Sequence, residues 1–188
     1  MKISGFLFAC ALIFSSLFSS QASAHTVTDN GSENRGWVHN THTDDGRTTK
    51  LYYTSGLDQF WKDRMNYGRG YFHTESSQKL TAENWASSAT GNYVTQQRND
   101  DATYVAKTQS RVSGQHKLQW SIWFNSKYNP YYTPSDWNRI AQHELGHVFG
   151  LGDLYKGYNS SRLMYWQAGN YAGLTENEKI GLKIIWGY

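Results

Sequence analysis

The sequence has a single cysteine among its 188 residues, and its basic residues form no clustered run. Cys10 lies in an N-terminal segment that we expect to be removed, so the processed chain has no disulfide and no cysteine-based switch. The formal net charge is +3 at pH 7, and this mixed surface does not suggest a nucleic-acid partner. The apolar run at residues 5–17 is too short for a stable membrane span.

The first 24 residues contain the three parts of a secretory signal peptide. Met1 and Lys2 form a positively charged start, an uncharged apolar run follows, and residues 22–24 (Ala-Ser-Ala) form a small-residue cleavage site. An alternative is a lipoprotein processing box ending at Cys10, but the apolar stretch before it is very short. We therefore predict that residues 1–24 are a signal peptide and that the protein is secreted and extracellular.

Residues 25–48 are polar and show no apolar periodicity, which predicts a flexible arm or a short pro-segment. Three histidines lie in it, namely His25, His39 and His42. No further metal-binding residues stand at a suitable spacing around them, so we expect these imidazoles to be solvated. The remaining length, residues 49–188, suits one domain with an ordinary core.

Apolar periodicity predicts the secondary structure of the first half of this domain. Alternating or β-prone residues predict strands at 50–54, 102–108 and 118–124. A short helical stretch is expected around residues 57–61, and a second helix is expected to begin near Thr81, where the local pattern looks like a helix cap.

Two later helices have clear start signals. Thr133 can cap the first of them, Pro134 suits its first position, and Asp136 places a carboxylate in its first turn. The last helix is expected to start at Thr175, where Glu178 completes a capping box. These signals predict one helix through residue 147 and another near the C-terminus.

Residues 143–153 read His-Glu-Leu-Gly-His-Val-Phe-Gly-Leu-Gly-Asp. Two histidines four apart on a helix project from one face, so both imidazoles can reach one metal ion while Glu144 stands beside them. Gly150 suits a left-handed residue that stops the helix and lets the chain turn back toward Asp153. These donors suit Zn²⁺, which keeps an open position for water in catalytic sites.

This run, followed by a turn at residues 162–165, resembles the metzincin metallopeptidases, whose pattern ends His-x-x-Gly-x-x-His or, in a minority, His-x-x-Gly-x-x-Asp. The Asp form resembles the snapalysin-like small secreted bacterial proteases, and residues 173–188 resemble the closing helix of matrixin-type catalytic domains. The resemblance implies an α+β fold for a metallopeptidase catalytic domain at 49–188. Its parts would be a twisted, mostly parallel sheet, an active-site helix, a Met-turn and a C-terminal helix.

The same resemblance implies roles for individual residues. His143, His147 and Asp153 would bind one catalytic Zn²⁺, Glu144 would be the general base, and Met164 would be the methionine of the Met-turn. The implied function is a secreted zinc-dependent endopeptidase that hydrolyses peptide bonds with a zinc-bound water activated by Glu144. Its partner would be a protein or peptide substrate, without nucleic acid or, after signal cleavage, a membrane. The protein is expected to be a monomer.

Three alternatives stay open. The third ligand could be Glu176 or Glu178, as in gluzincin peptidases, although Glu178 already has a capping role. Met164 could be an ordinary core methionine. The chain could also be a non-catalytic secreted zinc-containing binding module, although the retained Glu144 favours an enzyme.

Two further assignments are left open. The tyrosine that acts as an extra ligand in astacin-like metzincins stands two residues after the methionine, where this chain has Trp166. Tyr165 therefore receives no catalytic role. Calcium binding is open as well, but neither residues 44–46 nor residues 99–101 have the spacing of an EF-hand loop.

Overall fold

The computed structural model describes residues 25–167 and 173–188. The predicted signal peptide, and with it the expectation of secretion, lies outside the described residues. Within these ranges the α-helices are α1 (Gln59–Glu75), α2 (Pro134–Val148) and α3 (Glu176–Trp186). The strands are β1 (Gly31–Ser32), β2 (Trp37–Val38), β3 (His42–Thr43), β4 (Thr48–Tyr53), β5 (Thr81–Asn84), β6 (Tyr93–Gln97), β7 (Ala106–Ser113) and β8 (His116–Asn125). None of the described helices has the length and apolar character needed to cross a bilayer.

The main sheet is mostly parallel. Its strand order is β3-β8-β6-β4-β5, and β7 pairs with β8. β7 is the antiparallel member, since it runs against β8 while the other neighbours are parallel. β1 and β2 form a separate antiparallel pair. This architecture confirms the expected α+β fold with a mostly parallel sheet, an active-site helix and a C-terminal helix.

Large aromatic side chains hold α1 and α2 against the sheet. The Trp61 ring of α1 stacks on Phe124 of β8 at a centroid distance of 4.8 Å, and Trp137 of α2 meets the Trp61 ring edge-on at 4.5 Å. All three side chains are buried. Each such ring buries about 150–250 Å² of apolar surface, so this contact is a main anchor for the helix that carries the candidate site.

Several predicted elements differ from the structure. The strands expected at 50–54 and 118–124 are present as β4 and β8, and the last strand before β8 begins at Ala106 instead of residue 102. The short helical stretch near residue 57 is the start of the 17-residue helix α1. The helix expected near Thr81 is wrong, because residues 81–84 pair in parallel with β4. Pairing with a distant strand outweighs the local cap-like pattern there.

Residues 25–48, expected to form a flexible arm or a short pro-segment, pack against the rest of the chain in the structure. Trp37 is 1% exposed and packs against Gly181 of α3, while β3 pairs in parallel with the start of β8. The segment is polar on average, but its few apolar side chains find partners far away in the sequence. The pro-segment interpretation and the domain boundary at residue 49 stay predictions.

Candidate metal centre

Helix α2 positions the two histidines of the motif. Thr133 caps its first turn as predicted, and Asp136 completes a capping box: the Thr133 N–H donates to Asp136 (2.9 Å) and the Asp136 N–H donates to Thr133 Oγ1 (3.2 Å). The helix ends just before Gly150, whose φ of 108° lies in the left-handed region that favours glycine. The rings of His143 and His147 lie on one face with centroids 4.7 Å apart.

The turn after Gly150 brings Asp153 to both histidines. Asp153 Oδ1 lies 3.2 Å from His143 Nε2 and 3.5 Å from His147 Nε2. Ligand atoms that surround a tetrahedral Zn²⁺ at about 2.1 Å stand about 3.4 Å apart, so this donor set fits zinc. Among the described residues, these three form the one group of His, Cys, Asp or Glu side chains whose ligand atoms all lie within 4.8 Å of one another.

Backbone carbonyls orient both imidazoles. His143 Nδ1 lies 2.8 Å from the Leu163 carbonyl oxygen, and His147 Nδ1 lies 3.0 Å from that of Leu151. An N–H that donates to these oxygens leaves each Nε2 with a free lone pair. Hydrogen bonds of this kind to the outer nitrogen are typical of metal-binding histidines. The arrangement thus selects the tautomer that can bind a metal through Nε2.

The pKa values of both histidines differ from the ordinary histidine value. Burial lowers the pKa of His147 to about 4. Burial also opposes protonation of His143, but the hydrogen bond with Asp153 and the charge of Glu144 outweigh it and raise the pKa of His143 to about 8. A divalent cation at the Nε2 atoms would displace this proton, because histidine binds metals in its neutral form.

Glu144 lies beside the metal-binding atoms and is 5% exposed. Its Oε2 accepts a 2.6 Å hydrogen bond from the Thr108 hydroxyl of β7. Burial raises the pKa of the Glu144 carboxyl, which suits a group that must take up a proton near neutral pH. Thr108 was missed in the sequence analysis, since nothing in the pattern of β7 links that position to α2.

Met164 and Glu178 lie beneath the histidines. Met164 is buried, and its sulfur occupies the space where a Cβ on Gly146 would stand, so the floor of the site requires glycine in α2. Glu178 is fully buried and accepts hydrogen bonds from the backbone N–H groups of Met164 and Thr175, each at 2.8 Å. Its carboxylate therefore braces the turn that holds Met164 against α3, and it is not a member of the candidate metal-binding group.

A cleft of about 760 Å³ opens over these residues. Its walls are residues 103–108 of the β7 region on one side and Tyr132, Tyr165 and Trp166 on the other. Trp166 is half-exposed, and Tyr165 lines the cleft without a hydrogen bond to the metal-binding side chains. The cleft, the histidine pair, Asp153 and Glu144 thus occupy one place in the fold.

The structure thus combines a mostly parallel sheet with one antiparallel strand, a helix bearing two histidines, and a turn that sets a methionine against that helix. No protein-family model and no curated protein matches the sequence. Solved structures do match.

The chain is similar to high choriolytic enzyme 1, a hatching-enzyme zinc-protease from Oryzias latipes, with a TM-score of 0.54 and 10% identity over 86% of this chain and 99% of that chain. Myroilysin matches with a TM-score of 0.51 and 11% identity over 76% of this chain and 85% of that chain. Archaemetzincin from Methanopyrus kandleri matches with a TM-score of 0.49 and 12% identity over 78% of this chain and 97% of that chain. The likeness to high choriolytic enzyme 1 and to myroilysin confirms the expected resemblance at the level of the fold.

Proposed function

We propose that this protein is a secreted zinc-dependent endopeptidase of the metzincin type. The observation that carries the proposal is the meeting of His143, His147 and Asp153 at metal-binding distance with a buried Glu144 in the same cleft. Packing of the helix against the core does not require two imidazoles and two carboxylates to lie together in one cleft. The fold shared with zinc proteases supports the same conclusion.

The residues of the site suit hydrolysis of a peptide bond. When bound by the three ligands, Zn²⁺ would polarise the scissile carbonyl and lower the pKa of a water molecule. Glu144 would take the proton from the attacking water and deliver it to the leaving amine. The Thr108 hydroxyl holds Oε2 of this carboxylate, which leaves Oε1 for the proton transfer.

The substrate would bind as an extended chain along β7. Among the described strands β7 pairs with β8 alone, so the backbone groups of its other edge are available to a peptide, and residues 103–108 line the cleft. Adding a strand to a sheet edge is a common way to bind peptides, because backbone hydrogen bonds give affinity for any sequence. Preference for particular side chains would come from Tyr132, Tyr165 and Trp166.

The proposal is tested by cleavage of a denatured protein substrate with and without a chelator, beside the variant Glu144→Gln. We expect wild-type cleavage to require zinc and the variant to lose at least about 100-fold in rate, as expected for a missing general base. Bound zinc should be unchanged, since Glu144 is not one of the proposed ligands. Glu176→Gln, a surface variant, is the control and should cleave like wild type.

Zinc bound by a wild-type protein that shows no Glu144-dependent cleavage would instead support a non-catalytic binding module. For the ligands, Asp153→Ala should remove most of the zinc bound at this centre. N-terminal analysis of protein recovered from the culture medium tests secretion, with residue 25 expected as the first residue.

A further inference from the structure

Four of the histidines meet in a second place, which we call the histidine cluster: His25, His39, His42 and His116. The His42 ring is at its centre, with centroid distances of 4.7 Å to His25, 4.6 Å to His116 and 5.4 Å to His39. Three of them lie in the N-terminal segment, and pairing of β3 with β8 places His42 opposite the distant His116. The expectation that the histidines of the N-terminal segment are simply solvated is therefore wrong for His42, which is 0% exposed.

The central imidazole has a buried nitrogen without a partner. His42 Nε2 is inaccessible to solvent and makes no hydrogen bond within the described part of the chain. A buried polar atom left unpaired costs about 1–3 kcal/mol. The other nitrogen, Nδ1, lies 3.1 Å from His39 Nε2. The ring is thus held through Nδ1, while its buried Nε2 stays without a partner in a ring cluster that includes His25 and His116.

The outer histidines are held in a similar way. His25 Nε2 lies 2.7 Å from the carbonyl oxygen of Ile185, and His116 Nδ1 lies 3.4 Å from a carboxylate oxygen of Asp44. Each ring therefore has one nitrogen beside a carbonyl or carboxylate oxygen and one nitrogen left over. The hydrogen bond of His25 to a carbonyl oxygen resembles those of His143 and His147 and is typical of metal-binding histidines, while His116 has a carboxylate nearby.

We propose that His25, His42 and His116 form a second metal site, for a divalent transition metal such as Zn²⁺ or Cu²⁺. The ligand atoms would be His25 Nδ1, His42 Nε2 and His116 Nε2, with His39 as an outer support. Imidazole is a good ligand for both ions. This site goes beyond the proposed peptidase centre and shares no ligand with it.

The cluster is more open than the catalytic group. The centroids of His25 and His116 are 6.0 Å apart, and the three nitrogens are not all within 4.8 Å of one another. Metal binding would therefore draw one ring inward. His42 is fixed by packing against Trp186, whereas His25 is exposed. His25 is therefore the ring that would move, and the move would give up its contact with the Ile185 carbonyl oxygen.

The local charges permit a cation. Asp44 adds a negative charge on the side of His116.

A metal in the cluster would tie the N-terminal segment to β8 beside the loop that carries Asp153. Asn40 N–H donates to the Gly150 carbonyl oxygen (2.8 Å), and Gly152 N–H donates to the Val38 carbonyl oxygen (2.8 Å). These backbone contacts place the cluster directly behind the turn that brings Asp153 to the catalytic group. The second ion would therefore act as a cross-link that stabilises this turn.

The test is a titration of the metal-stripped purified protein with Zn²⁺ in competition with a chromophoric chelator. We expect two equivalents for wild type and one for His25→Gln and for His116→Gln. The control His73→Gln, which changes a histidine outside both groups, should still bind two. Thermal unfolding of each metal-free variant shows whether it has kept its fold.

A second measurement does not depend on the folding of those variants. In His143→Gln/His147→Gln, which removes both imidazoles of the catalytic group, one equivalent of Cu²⁺ should give an electron paramagnetic resonance spectrum with splitting from several imidazole nitrogens. A single equivalent in wild type, or a second ion without imidazole splitting, would overturn the proposal. Loss of peptide cleavage with two ions bound would count against the proposed function alone.

Discussion

Glu178 offers the sharpest test of how the metal site is supported. The side chain is fully buried, and its two carboxylate oxygens accept three hydrogen bonds of 2.8 Å, from the backbone N–H of Met164 and from the N–H and hydroxyl of Thr175. Replacing it by alanine removes all three acceptors at once. The Met-turn loses its connection to α3, and the last helix loses its capping box.

The expected loss of stability follows from the groups left behind. A buried donor without a partner costs about 1–3 kcal/mol, and loss of a helix cap costs about 1 kcal/mol. Because the N–H of Thr175 lies near the surface and can find water, we expect a total of about 3 kcal/mol for Glu178→Ala. For a chain of this size this corresponds to a decrease of roughly 6–12 °C in Tm. Glu178→Gln keeps one acceptor oxygen and should lose about half as much.

The assay combines thermal or urea unfolding with a count of bound zinc. Glu178→Ala should be less stable yet bind the same number of zinc ions as wild type below its unfolding transition. Glu176→Ala is a matched control in the same turn, and its exposed side chain predicts little change. Loss of one zinc from Glu178→Ala with stability unchanged would refute the reasoning and favour Glu178 as a ligand.

Two further predictions concern packing and pH. Gly146→Ala should destabilise the protein by about 1–3 kcal/mol, because its new methyl group collides with Met164 Sδ. The control Gly70→Ala places its methyl group in open space on α1 and should not be destabilised. Equal urea midpoints for the two variants would contradict this prediction. The metal-free protein should lose stability as the pH falls below about 6.5, the ordinary histidine pKa. Below this pH the histidines of the unfolded chain bind protons. In the folded protein His39 and His42, with pKa values of about 4 and about 3, stay neutral, so protonation favours the unfolded state. Urea midpoints that stay constant between pH 7 and pH 5 would refute this.

Local signals predicted the two helices around the site accurately. The capping boxes at Thr133 and Thr175 depend on residues three apart in the sequence, so nothing distant is needed to recognise them. The left-handed conformation of Gly150 is local in the same sense. From these local features alone, the sequence predicts that the two histidines lie on one helix and that the chain turns back toward Asp153.

Elements that depend on distant partners were predicted poorly. Residues 81–84 have a cap-like pattern but form a strand, because the open edge of β4 pairs with them. The segment at 25–48 looks unstructured by composition, yet Trp37 and His42 are buried against α3 and β8. In both cases the deciding contact joins residues that a short sequence window cannot compare.

The sequence alone therefore determined the chemistry of the candidate site, since two histidines, a glutamate, a glycine and an aspartate within one helix and turn can be read from local geometry. The tertiary structure decided what surrounds them. It assigned Glu178 to bracing the Met-turn instead of a ligand position, brought Thr108 to Glu144, and gathered His25, His42 and His116. The physical reason is that burial and hydrogen bonding between distant segments depend on how the sheet is assembled.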